Sequence, residues 1–285
     1  MKDQGGPAHP KARRRRLLPG FGLTLGLALT GVSICVLLPL GALVLKGAGM
    51  DASAFAAAAF SPRALATYAL TFKTSLVAAL ANALLGVLVA WCLTRYRFWG
   101  RRVLDGLVDL PFALPTAVAG IALTALYAPN GWLGRPLAAL GVEVAFTPIG
   151  ITLALIFIGL PFVVRTVQPV LEDLDPALEE AAATLGASRF TVFRRVVAPL
   201  LLPAVVTGFT LALARGLGEY GSVIFIAGNL PHETEITAFL IVSHLEAFDY
   251  GSATAVALVM LGGSLLLLLA LNALSRRVPA LKGVR

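Results

Sequence analysis

Gln168-Pro169-Val170-Leu171-Glu172-Asp173-Leu174-Asp175-Pro176-Ala177-Leu178-Glu179-Glu180-Ala181-Ala182-Ala183-Thr184-Leu185-Gly186-Ala187-Ser188 is a polar insert between two apolar runs, each long enough to cross a bilayer. A short amphipathic element held in this way is too small to be a domain. It is placed to touch a partner and pass that partner's motion into the membrane. Its local rules are helical. Asp175 suits an N-cap and Pro176 the first helical position, since neither the cap nor Pro needs an intrahelical amide bond there. Glu179 and Glu180 fall early in the helix, where carboxylates meet the positive end of its dipole. Gly186 is the expected stop, because glycine takes the left-handed closing conformation at little cost. Ser188 then caps a second short helix through Val197, and Pro199 leads into the next apolar run. A helix, a glycine corner and another helix result, with small alanines on the first helix that let a partner approach closely.

The composition sets the environment of this corner. The 285 residues are 58% hydrophobic and 13% charged, with mean hydropathy +0.86. A soluble domain carries about 25% charged residues, so the chain is expected to be an integral membrane protein. The net charge of +8 lies outside the apolar runs, and no basic face with interleaved aromatics is present, which excludes nucleic acid as a partner. Cys35 and Cys92 both fall in apolar runs and are expected to be small buried packing residues rather than a disulfide or metal ligands. Arg13–Arg16 followed by an apolar stretch resembles a secretory signal, yet the uncharged run from Leu17 to Leu45 far exceeds the roughly 7–15 residues of a signal core. It is expected to be a retained first span.

About 20 apolar residues cross the hydrocarbon core as a helix. Six segments qualify: Leu17–Leu45, Tyr68–Leu93, Leu107–Tyr127, Ile149–Val167, Leu200–Ala227 and Ser252–Leu274. The expected organisation is a basic tail over 1–16, a six-helix transmembrane domain over 17–274 with a coupling segment at 169–199, and a second tail over 275–285. Leu110-Pro111-Phe112-Ala113-Leu114-Pro115 predicts a bent entry to the third span, Pro129-Asn130-Gly131 a turn beyond it, and Trp132 an interfacial position. Basic residues gather on one side: the N-terminal tail, Arg95–Arg102, Arg165, Arg189, Arg194, Arg195, Arg276, Arg277, Lys282 and Arg285. The loops of the other side are expected to hold only Lys46, Arg63, Lys73 and Arg135. The positive-inside rule places both termini and the polar insert in the cytoplasm, and the loop Gly228–Tyr250 outside. Glu233, Glu235 and Asp249 in that loop are expected to form a solvated rim.

No GxxxxGK[ST] phosphate loop occurs in the sequence, so ATP, if it drives this protein, is bound by another subunit. His9, His232 and His244 have no partner at triad or metal-ligand spacing. No catalytic residue, metal site or cofactor is expected.

Glu180-Ala181-Ala182, three residues, Gly186, nine residues, then Val196-Val197-Ala198-Pro199 resembles the EAA signature of ABC importer permeases. That signature prefers Ile-x-Leu-Pro at its end; Val196 and Ala198 depart from it at the helix exit rather than at the corner. Three further stretches look like the sulfate/thiosulfate permeases of the CysT type. They are the Leu110-Pro111, Pro115 and Gly120 entry to the third span, the run Arg215-Gly216-Leu217-Gly218-Glu219-Tyr220-Gly221-Ser222 with its continuation to Asn229, and Leu245-Glu246-Ala247-Phe248-Asp249-Tyr250. Molybdate permeases share the Arg-x-x-Gly-Glu style of fifth span. The resemblance covers essentially everything after the basic tail. It implies an all-α integral membrane protein of the type I ABC importer permease fold, with six transmembrane helices and a cytoplasmic coupling helix, in a bacterial inner membrane. It also implies its partners: a CysW-type second permease, an ABC ATPase dimer beneath, and a periplasmic sulfate-binding protein delivering sulfate or thiosulfate above. By residue match, Glu180, Ala181, Ala182 and Gly186 would couple to the ATPase.

Arg215 and Glu219 lie four residues apart in the fifth span, on one helix face. A charge near the bilayer centre costs roughly 2.5–3.5 kcal/mol, so neither is expected to face lipid. Three roles remain open: an anion pathway or gate in which Arg215 offsets dehydration of a divalent oxyanion, a self-satisfied structural pair, and a pair at the contact between two permeases. Gly216, Gly218 and Gly221 allow either close helix contact or a local break. An ion-gradient-driven anion transporter is the competing class. It predicts repeat symmetry between the halves, which is not evident, and leaves the polar corner without a duty. An intramembrane hydrolase lacks a nucleophile–base pair.

Overall fold

Where the backbone sits among apolar groups it must satisfy its own amides and carbonyls, and every regular element among the described residues is helical. The computed structural model describes residues 20–275. The basic N-terminal residues, including His9 and Arg13–Arg16, and Arg276, Arg277, Lys282 and Arg285 lie outside them. The chain divides into two units, Met1–Gly49 and Met50–Arg285.

In the first unit, α1 (Phe21–Ala48) is long and apolar enough to cross a membrane. It contains one π turn, Ser33–Leu37, immediately ahead of Leu38-Pro39. The Leu38 amide bonds back five residues to Ser33. Proline has no amide and its ring clashes with the carbonyl four residues back. A widened turn at that point absorbs the misfit.

The second unit runs α2 (Ala52–Ala59), α3 (Pro62–Arg95), α4 (Arg101–Val108), α5 (Leu110–Ala113), α6 (Thr116–Tyr127), α7 (Gly134–Ala139), α8 (Pro148–Glu172), α9 (Pro176–Thr184), α10 (Arg189–Leu217), α11 (Val223–Ile226), α12 (Thr237–Glu246) and α13 (Tyr250–Ser275). Starts are written locally. Ser61 and Thr147 accept from Ala64 N and Ile149 N, with Pro62 and Pro148 at the first helical positions. Its centre is α3, α8 and α10. Apolar side chains gain nothing by leaving lipid for one another, so close backbone approach has to hold such helices together. Gly86 supplies it: a Cβ there would lie 2.6 Å from Val163 Cβ. Leu93, Ile151, Val163, Leu201 and Leu213 are fully buried at these contacts.

Five helices, Phe21–Ala48, Pro62–Arg95, Pro148–Glu172, Arg189–Leu217 and Tyr250–Leu274, have the length and composition of membrane spans. The expected third span, Leu107–Tyr127, is broken twice. Asp109 ends α4, and Leu114 is extended (ψ 136°), the conformation that a following proline imposes. Beyond the second break, α6 has 12 residues and is about 18 Å long, short of the roughly 30 Å hydrocarbon core. The fifth expected span also stops early, at Leu217, and resumes as α11. The second helix of the corner differs from expectation too: it does not end before Pro199 but runs straight on as α10. A π turn over Phe193–Val197 makes this possible, with Ala198 N bonded back to Phe193 O directly ahead of the proline.

Two further expectations are corrected. Cys35 and Cys92 are exposed free thiols rather than buried packing residues. Arg63 and Lys73 lie inside α3, not in a loop.

Candidate functional sites: the helical corner and the charge pair

The corner forms as its local rules predict. Asp175 Oδ1 accepts from Ala177 N at 2.9 Å, α9 occupies Pro176–Thr184, and Gly186 closes it at φ +82°. Gly186 N donates to Ala183 O and Ala187 N to Ala182 O. A side chain at Gly186 would meet nothing within 4 Å, so conformation alone demands glycine there. Ser188 Oγ accepts from Thr191 N at 3.3 Å. Glu180 and Ala181 are exposed and Ala182 is half-buried. Sequence reading missed the apolar part of this surface. Leu185 and Phe190 are 89% and 70% exposed, with Leu178 exposed beside them. Patterning pointed to charges and alanines, whereas the corner also projects large apolar side chains away from the bundle.

One arginine ties the corner to α3, and a second ties the α4–α5 break to α8 just ahead of the corner. Arg95, in the last turn of α3, pairs with Glu179 and stacks 5.4 Å above the Trp91 ring. Trp91 meets Phe193 edge to face at 5.5 Å. Arg165 on α8 uses its whole fork. Nε and Nη2 take the two Asp109 oxygens at 2.8 and 2.7 Å, Nη1 takes Asp105 Oδ1 and Gln168 Oε1, both at 2.7 Å, and Nη2 also reaches Asp105 O at 2.8 Å. The break between α4 and α5 is thus gripped by α8 a few residues before the corner begins. In the sequence Arg165 registered only as a basic residue on the positive side.

The structure brings Arg215 and Glu219 together as an ion pair, but not within one helix. α10 ends at Leu217, and Glu219 stands in the gap before α11. Its side chain is 2% exposed, and Oε1 accepts from Ser222 N and Oγ at 2.9 and 3.1 Å. A buried carboxylate needs both a counter-charge and hydrogen-bond donors, and it has both. Glycines make the gap and its packing. Gly221 abuts the Thr116 side chain, and Gly120 abuts the Ser222 backbone. The interrupted α10–α11 connection therefore meets the start of α6, where the other break lies. Arg215 keeps about a third of its side chain exposed, 35%.

At the opposite end, Glu235 is not part of a solvated rim. Its side chain is 0% exposed and takes Arg63 Nε and Nη2 at 2.8 and 2.6 Å. Glu233 and Asp249 are exposed as expected. Among the described residues no group of three or more His, Cys, Asp or Glu could hold a metal ion.

The fold is that of an α-helical membrane protein, with five helices long and apolar enough to cross a bilayer among the described residues. The family described as "Binding-protein-dependent transport system inner membrane component" matches residues 82–279. The chain is 51% identical over 263 residues to "Sulfate transport system permease protein CysT" of Escherichia coli K12, covering 92% of this chain and 95% of that one. It is 50% identical to the protein of the same name from Salmonella typhimurium, with the same coverage. The chain belongs to the binding-protein-dependent transport inner-membrane family, in its CysT branch. Among solved structures it resembles a crystal structure of a bacterial ABC transporter involved in import of the acidic polysaccharide alginate. The TM-score is 0.76 at 20% identity, over 91% of this chain and 96% of that one, which concerns the fold alone.

Proposed function

We propose that this chain is the permease subunit of an ATP-driven importer carrying sulfate and thiosulfate across the bacterial inner membrane, with hydrolysis performed by a separate subunit. The observation that carries this reading is half-identity across 263 residues to permeases whose names specify sulfate. Its partners are an ATPase pair, a CysW-type second permease and a periplasmic sulfate-binding protein.

Residues 17–274 form the transmembrane domain between the tails 1–16 and 275–285, with 169–199 as the coupling segment. The third of its six crossings is made by α4, α5 and α6 together. Both termini and α9 face the cytoplasm, the side on which basic residues gather. Glu180, Ala181, Ala182 and Gly186 form the docking corner, and Leu185 and Phe190 supply its apolar contact. When ATP closes the ATPase pair, the corner is displaced, and Arg95 and Arg165 pass that displacement to α3, α8 and the α4–α5 joint. Arg215, partly exposed beside two interrupted helices, lowers the cost of dehydrating the dianion. Glu219 holds Arg215 in place and keeps the site from binding too tightly.

The test is uptake of labelled sulfate in cells, with molybdate as competitor. Uptake should be abolished by vanadate and survive a protonophore; the reverse would assign a gradient-driven carrier. A thiol introduced at Ala181 in a cysteine-free background should be labelled only from the cytoplasm.

A further inference from the structure

The connection between α3 and α4 carries charge and aromatic surface for which neither docking nor anion passage has a use. Arg97, Arg101 and Arg102 line an open cavity of about 710 Å3 together with Phe98, Trp99 and Leu107. Arg97 and Arg102 are exposed, and Arg101 is half-buried. Among the described residues none of the three guanidinium groups has an ion pair or side-chain hydrogen bond. Asp105 and Asp109, the acids nearest in sequence, are both committed to Arg165. Three arginines therefore border one largely apolar cavity with no ion pair of their own, and the one carboxylate a turn away on α4, Asp105, is engaged by Arg165.

The apolar side of the same element has no cover either. Trp99 is 100% exposed, and Val103 and Leu107 are exposed with it. Val103 and Leu107 are four residues apart on α4, one turn along the same face, while Asp105 lies on the face turned to Arg165. The helix is thus held from one side and bare on the other. It directly succeeds a membrane-crossing helix, so its bare side lies where bilayer meets water. An aliphatic ridge, an indole and a cationic rim are the parts of an in-plane interfacial segment. A basic pocket at that depth suits a lipid phosphate. A soluble acidic partner would neutralise the arginines and leave the ridge in water; a phospholipid matches both.

We propose that this pocket binds the headgroup of an acidic phospholipid, its phosphate among Arg97, Arg101 and Arg102 and its chains along Trp99, Val103 and Leu107. The proposal rests on this end of the helices lying at a membrane surface. With lipid bound, α4 is held at that surface from one side while Arg165 holds it from the other.

The experiment uses the full-length protein in nanodiscs of phosphatidylcholine doped with phosphatidylglycerol. Because both leaflets have one composition, the outcome does not depend on which side faces the cytoplasm, which thiol labelling at Ala181 decides separately. Native mass spectrometry should show phosphatidylglycerol retained in preference to phosphatidylcholine. Each Arg→Gln substitution at 97, 101 or 102 should lower that retention roughly fivefold, and the triple variant should show no preference. Excess inorganic phosphate should leave retention unchanged. As a measurement on the unmodified pocket, brominated phosphatidylglycerol should quench tryptophan emission, and Trp99→Phe should remove that component. Equal retention by wild type and triple variant, displacement by inorganic phosphate, or quenching unaltered by Trp99→Phe would each overturn the lipid site.

Discussion

Arg95 closes α3 by reaching Glu179, 84 residues further along the chain, on the helix that begins the corner. Both side chains are about a quarter exposed, 24% and 28%, and Trp91 lies under the guanidinium. A freely exposed pair is worth about 0–1 kcal/mol; partial burial and the aromatic face place this one toward the upper end. Glu179→Gln and Arg95→Gln should each reduce ATPase co-purification and uptake while the permease stays in the membrane. The swapped pair Arg95→Glu with Glu179→Arg should recover part of both. Equal recovery of the ATPase by all variants would remove the pair from coupling.

Gly186 sits at φ +82° in open space. A β-branched residue there carries a left-handed penalty of about 1–2 kcal/mol, so Gly186→Val should loosen the corner and weaken ATPase co-purification. Gly186→Asn, which tolerates that conformation, should be milder. Glu180→Lys should weaken docking without affecting the fold, as read by pull-down against thermal unfolding.

Arg215 and Glu219 can be separated into a structural and a transport role. Arg215→Ala strands a buried carboxylate, which costs about 3–5 kcal/mol, and should lower both Tm and uptake. Arg215→Met combined with Glu219→Leu removes both charges and should regain most of the Tm. Sulfate uptake should stay lost in that double variant. Normal uptake there would assign the pair to structure alone.

Asp249 precedes α13, and donation from the Ser252 hydroxyl and amide holds its carboxyl below the usual carboxylate range. A depressed value means that its stabilising contribution is present above the ordinary carboxylate range and fades as pH falls through the lowered value. Asp249→Ala removes the side chain that accepts from Ser252 N at the start of α13 and should lower the Tm at neutral pH, a gap that should narrow in strong acid. Thermal unfolding at both pH values checks this.

The corner was legible because its rules are local: Asp175, Pro176, Gly186 and Ser188 each act within four residues. The bend at Pro111 and Pro115 was legible too. Its consequence was not, since the apolar run Leu107–Tyr127 continues across a backbone that Leu114 has already diverted. The pairings of Arg165 and Glu235 escaped notice because their partners lie 56 and 172 residues away. Nothing in a single chain's pattern announces such pairs. The exposure of Cys35 and Cys92 failed for another reason. Lipid is as apolar as the protein interior, so hydrophobicity marks depth in the membrane without saying inward or outward.

The π turn at Phe193–Val197 has a steering role. It holds one residue more than an α-helical turn would, and each residue of an α-helix advances the azimuth by about 100°. The surplus residue thus sets the bearing of Phe190 relative to Arg215 at the far end of the same rod. Deleting a single residue there would leave two intact ends pointing in unrelated directions. Compass and piston are one object, and Pro199 keeps the needle from drifting.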